Sequence, residues 1–235
     1  MVRISLSIIV ALVVGVAAAS VSTGSTPIHE SPPMKALTPL EEGIVREHNL
    51  ARQDPKGYAA HVQAFRELFD GQFIRIPGQA TVLTREGVEA VDEAIAFLMT
   101  IEPAPALSTS QGMSDAAADH VLDQGPAGKT GHGGSDGSRP AERVARHGSW
   151  DIIVAENLSY GPDMARHVVM GLIIDDGVPD RGHRTTIFNG ALNVIGVSCG
   201  PHVTFGTMCT MDYAGEFTEQ ASSDDATPQG ARSEK

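Results

Sequence analysis

Gly131-His132-Gly133-Gly134-Ser135-Asp136-Gly137-Ser138 opens a stretch of the 235-residue chain that continues through Ala155-Glu156-Asn157-Leu158 to Asp175-Asp176-Gly177-Val178-Pro179-Asp180-Arg181-Gly182-His183-Arg184. Glycine-rich turns let backbone approach closely and adopt dihedrals that other residues avoid. Imidazoles and carboxylates are the side chains that bind metals or move protons. The expectation is that His132, Glu156 and His183, with Asp175 or Asp176 beside them, line one polar cavity.

Upstream, Met1-Val2-Arg3 supplies a positive charge, Ile4 to Val16 is almost wholly apolar, and Ala17-Ala18-Ala19 offers the small residues that a signal peptidase reads. Residues 1–19 are therefore expected to be a signal peptide and 20–36, rich in Ser, Thr and Pro, a flexible leader. The apolar run is shorter than the roughly 20 residues of a membrane helix, so no stable span is expected after cleavage. Residues 37–217 suit one domain, and 218–235 read as a disordered tail. This predicts a secreted or periplasmic protein. The formal net charge of −12 argues against a nucleic-acid partner, because phosphate binding needs clustered Lys and Arg. The only two cysteines, Cys199 and Cys209, flank an expected hairpin, and in an exported protein they predict one disulfide.

Along the domain, Thr38-Pro39-Leu40-Glu41 is a helix start with a capping box, and His48 on the apolar stripe of that helix reads as a hydrogen-bonded core histidine. Asp54-Pro55 ends this helix and caps a second. Gly71 to Thr84 reads as an irregular excursion. Thr84 and Ser108 are expected to cap two further helices, the latter turning Met113, Ala116, Ala117, His120 and Val121 inward and ending at Gly125-Pro126. Pro140 to His147 predicts a short helix, Trp150 to Asn157 a strand, and Met164 to Leu172 a helix that delivers Asp175 and Asp176. Leu192 to Ser198 and His202 to Tyr213 read as an antiparallel hairpin turning at Gly200-Pro201. Helices early and strands late fit α+β rather than repeating βαβ units.

Three chemistries compete for the central stretch. His132 and His183 with Glu156 would make an open three-ligand site for Zn²⁺ or another divalent metal, with Asp175 or Asp176 as base on a bound water. Gly133-Gly134-Ser135-Asp136-Gly137 matches a nucleophile motif, and Ser135, Asp175 and His183 follow in hydrolase order. That motif needs a strand before the serine, which Gly125-Pro126-Ala127-Gly128 does not supply. A purely structural reading makes the Asp-Gly pairs turn formers ordered by Arg181 and Arg184.

Taken together with Arg181-Gly182-His183-Arg184-Thr185-Thr186-Ile187-Phe188-Asn189 and the C-terminal hairpin, these motifs resemble the bacterial branch of the CAP (SCP-like) superfamily, which includes cysteine-rich secretory proteins, antigen 5 and pathogenesis-related type 1 proteins. The resemblance spans about residues 37–217. It implies a three-layer α-β-α sandwich with a central, mostly antiparallel sheet and a cleft lined by two histidines and two acids. His132 and His183 match the family histidines and Glu156 matches one acid; the other falls to Asp175 or Asp176 where the family carries a glutamate. Members have been linked to zinc binding, lipid binding, proteolysis and signalling, so fold alone names no reaction. The resemblance favours an exported binding or interaction module for a small molecule, lipid or protein, whose cleft holds a divalent metal. The alternative is a metal-dependent hydrolase of protease or esterase type, with His132 and His183 as metal ligands and Glu156 or Asp175 as the catalytic base.

Overall fold

The computed structural model describes residues 36–75 and 81–220. The expected signal segment, nearly all of the leader and residues 221–235 of the expected tail lie outside them. Helix α1 (Pro39–Gln53) starts as its sequence dictates: the Thr38 hydroxyl accepts the Glu41 amide while the Glu41 carboxylate accepts the Thr38 amide at 2.7 Å. Asp54 ends α1 and caps α2 (Pro55–Arg66) by accepting the Gly57 amide at 2.9 Å. Ile44, Ala51, Tyr58 and Val62 from these helices are buried, and each large apolar side chain so buried contributes about 1.5–3 kcal/mol.

The excursion after α2 holds three two-residue strands, β1 (Phe69–Asp70), β2 (Phe73–Ile74) and β3 (Val82–Leu83), paired antiparallel. Helix α3 (Val88–Leu98) is not capped by Thr84. Its N-cap is Gly87, and the donors around it are met from far along the chain: the Asp176 carboxylate accepts the amides of Arg85, Glu86 and Gly87. The Thr84 hydroxyl donates to the Gln72 carbonyl instead.

Ser108 likewise does not open a helix. Ser108–Thr109 form β4, and Ser110 caps α4 (Gln111–Ala127) by accepting the Met113 amide. Gly125-Pro126 lies within α4, which ends at Gly128 in the left-handed conformation. Then come α5 (Pro140–Val144), β5 (Gly148–Tyr160), α6 (Ala165–Ile174), α7 (Gly182–Ile187), β6 (Val194–His202) and β7 (Gly206–Glu219).

The main sheet has the order β4-β6-β7-β5, parallel only between β4 and β6. Successive β7 residues point to opposite faces. Met211 and Tyr213 join the core made with α1, α3 and α6, whereas Ala214 packs with Met113, Ala116 and Val144 of α4 and α5. Helices thus cover both faces, and the fold is an α+β sandwich of three layers. On the α4 side the approach is close: a Cβ on Gly196 of β6 would lie 2.0 Å from the Met113 carbonyl carbon.

Cys199 and Cys209 sit directly opposite in the β6–β7 ladder and are disulfide-bonded. The hairpin does not turn at Gly200-Pro201, which belong to β6, but at Val203 to Phe205. There His202 Nδ1 accepts the amides of Thr204 and Phe205, giving the turn a cap that no glycine or proline signals. The expected tail boundary at 218 is also two residues early. Thr218 and Glu219 pair with Ser149 and Gly148, and Glu219 accepts bonds from Ser110 Oγ and the amides of Gln111 and Gly112 at the start of α4. Among the described residues no helix is long and apolar enough to cross a membrane.

Candidate functional site

The glycine-rich loop after α4 is tied down before it presents its histidine. His120 and Gln124, one turn apart on α4, both donate to the Gly131 carbonyl, at 2.9 and 2.8 Å. Gln124 also reaches the Gly133 carbonyl, and the Tyr160 hydroxyl accepts the Gly131 amide. Gly131 itself has φ 96°, a backbone that favours glycine. So held, His132 places Nδ1 2.7 Å from Glu156 Oε1. Its side chain is 52% exposed while that of Glu156 is 1% exposed. The imidazole therefore stands at the surface on a buried acid.

Glu156 is anchored from behind. Arg143 of α5, buried as deeply, donates Nη2 to Glu156 Oε2 at 2.5 Å and Nη1 to the carbonyls of His132 and Ser138. Burial works against the charge on Glu156, but the bond to His132 and the guanidinium of Arg143 outweigh it and hold the carboxyl below its ordinary value.

The second pair forms where α6 ends. Asp175 closes the helix in the left-handed conformation at φ 59° and turns its carboxylate toward the start of α7. Oδ1 lies 2.6 Å from His183 Nδ1, and Oδ2 accepts the His183 amide at 3.0 Å. Arg181, itself at φ 51°, donates to the carbonyls of Asp175 and Val178 and to the carboxylates of Glu86 and Glu93. Arg184 donates to the carbonyls of Ile173 and Ile174 and to Glu93, and stacks over the Phe97 ring. Burial lowers the Arg184 pKa, and its contact with Glu93 partly offsets that. Of the two adjacent acids, then, Asp175 meets the histidine and Asp176 serves the start of α3.

Both pairs are fastened to consecutive residues of β5, the edge strand. Glu156 carries the His132 pair on the α4 side, and Asn157, on the opposite face, donates to the His183 carbonyl at 3.2 Å. Asn157 also reaches the Tyr213 hydroxyl, whose other partner is His48 Nε2 at 2.8 Å. His48 donates Nδ1–H to the Ile44 carbonyl and is a satisfied core histidine, as the helical stripe suggested.

The structure thus brings each predicted imidazole to one predicted acid. It does not gather three of them: among the described residues no three His, Cys, Asp or Glu side chains come together as metal ligands. Glu156 does not fit as a third ligand, since both its oxygens are engaged and its side chain is buried. Among the described residues neither Nε2 of His132 nor Nε2 of His183 makes a hydrogen bond, so these are the nitrogens each ring leaves open to a divalent ion. Each ring gives its other nitrogen to a carboxylate, which is the usual support of a metal-binding histidine. Ser135, the apparent nucleophile, bonds Asp123 through its hydroxyl and its amide and meets neither His183 nor Asp175. Reading the sequence passed over Arg143, His120 and Gln124 as site residues. Only the inward helical spacing of His120 marked any of them.

The family model described as the cysteine-rich secretory protein family, CAP, matches residues 46–213, and the chain belongs to that family. An outer surface protein of Borrelia burgdorferi is similar in structure, with TM-score 0.41, 14% identity, and coverage of 50% of this chain and 80% of that one. An extracellular protein containing a SCP domain from Bacillus anthracis is similar at TM-score 0.38 and 16% identity, covering 54% of this chain and 37% of that one. No curated protein matches the chain.

Proposed function

We propose that this chain is an exported CAP binding module that takes its ligand at the exposed Nε2 atoms of His132 and His183, a divalent cation such as Zn²⁺ being one ligand these atoms accept. The observation that carries the reading is the pairing of each Nδ1 with a buried carboxylate, Glu156 at 2.7 Å and Asp175 at 2.6 Å. A carboxylate on Nδ1 fixes the ring and, in the neutral imidazole, leaves a lone pair on Nε2 facing outward. Small-molecule, lipid or protein partners with an electron-poor centre or a hydrogen-bond donor fit the same atoms. The N-terminal apolar segment and the disulfide support export.

Calorimetric titration of the refolded or secreted domain with Zn²⁺ tests it. Binding should weaken at least tenfold in His132→Ala and in His183→Ala while circular dichroism is unchanged. Undiminished binding in both variants, or none in the wild type, would overturn the reading. Turnover of ester or peptide substrates that vanishes in His132→Ala with folding intact would move the assignment to the hydrolase.

A further inference from the structure

Behind the His132 pair lies a second carboxyl group that the binding reading does not use. Asp212 of β7 is directly opposite Glu156 in the β5–β7 ladder, so both side chains leave the same face of the sheet, under α4 and α5. Asp212 is fully buried, and among the described residues neither of its oxygens accepts a bond from any N–H or hydroxyl. Yet it lies within hydrogen-bonding reach of Glu156. With both acids ionised neither can donate, and a buried anion would stand with no partner, which is among the most costly arrangements a core can hold.

The charges that face Asp212 make the same point. From α4 comes Asp119, with His120 of the same helix set against Glu156; from α5, Arg143; from β5, Glu156. On the β6 side its opposite residue is Gly196, which has no side chain. Among the described residues Arg143 is the guanidinium set against these two carboxylates. It gives Nη1 to carbonyls and Nη2 to Glu156, and its Nε does not bond Asp212. His120 donates Nε2–H to the Gly131 carbonyl, and burial lowers its pKa, so it brings no compensating charge.

We propose that Glu156 and Asp212 form a buried acid pair holding one proton, carried on Asp212, whose O–H donates to Glu156. Asp212 is then a positioning residue. It supports Glu156 from the sheet as Arg143 supports it from α5, and through Glu156 it sets the His132 ring. Burial, with the charge of Glu156 beside it, raises the Asp212 pKa in agreement. Like charges in one dry site cannot both ionise, which is the general reason such pairs share a proton.

The sign of the pH effect follows. A carboxyl that keeps its proton when folded and loses it when unfolded makes the native state bind more protons, so its contribution to stability declines as pH rises above the ordinary aspartate range. The test is carbon NMR of protein labelled at the aspartate carboxyl carbon, with through-bond assignment of Asp212, together with denaturant unfolding of wild type and Asp212→Asn across pH. At neutral pH the Asp212 carbon should remain at the protonated shift while the exposed aspartates are ionised. Asp212→Asn, whose amide donates to Glu156 as the O–H does, should gain stability relative to wild type as pH rises from acid to neutral. An Asp212 carbon at the ionised shift would overturn the proposal, as would an Asp212→Asn variant that loses stability over the same range. If that variant does not fold, the wild-type carbon shift alone decides. None of these measurements involves a ligand, so the pair stands or falls separately from cation binding.

Discussion

Arg143 shows how one side chain can decide the behaviour of a site it does not line. Its guanidinium is buried against Glu156 and also holds the carbonyl of His132, so both the acid and the loop depend on it. Arg143→Leu should lower stability by about 3–5 kcal/mol, because it leaves Glu156 buried without its cation. Urea unfolding at neutral pH measures this, and a loss below about 1 kcal/mol would mean that the pair is hydrated. Nothing in the sequence singles out Arg143, one of several arginines between residues 139 and 146. Its role comes from the short helix α5 facing β5. His132, Glu156 and His183 were legible because their neighbours form motifs. The choice between Asp175 and Asp176 was not, because adjacent acids differ only in which way the end of α6 turns them.

The caps at Thr38 and Asp54 were legible in the sequence, whereas the elements set by distant partners were not. Thr38 with Glu41, and Asp54 with Pro55, carry their signals within four residues, and both caps form. Thr38→Ala should therefore cost about 1 kcal/mol, measurable by thermal melting. The start of α3 is set by Asp176, about ninety residues later in the chain, and no inspection of Thr84 to Val88 could reveal that. Strand β4 has two residues and exists only because β6 lies beside it. The hairpin turn moved off Gly200-Pro201 because His202 caps Val203 to Phe205 from its own ring. Close contact between α4 and β6 was equally hidden. Gly196→Ala would drive a methyl into the backbone of Met113 and Ser114, and overpacking of this kind should cost about 1–3 kcal/mol or more in denaturant unfolding.

Across the whole molecule, one buried polar chain joins α1 to the edge strand: His48 meets the Tyr213 hydroxyl of β7, and Asn157 of β5 meets both that hydroxyl and the His183 carbonyl. Burial lowers the His48 pKa from 6.5 to about 4. The unfolded chain therefore binds a proton that the native state refuses, so stability is full above about pH 6.5 and is lost as pH falls toward about 4. Unfolding midpoints over this range should fall with acid, and His48→Gln should flatten that slope. The slope is opposite in sign to the one expected from Asp212. Each imidazole stands on its own carboxylate, His132 on Glu156 and His183 on Asp175, with both pairs fastened to adjacent residues of β5, and this is the claim from which the binding role follows. Long-range proton–nitrogen NMR of the histidine rings tests it most directly. His132 and His183 should carry their proton on Nδ1 when neutral, with Nε2 free and shifting on addition of Zn²⁺. Nε2–H tautomers in both rings, unmoved by Zn²⁺, would contradict it.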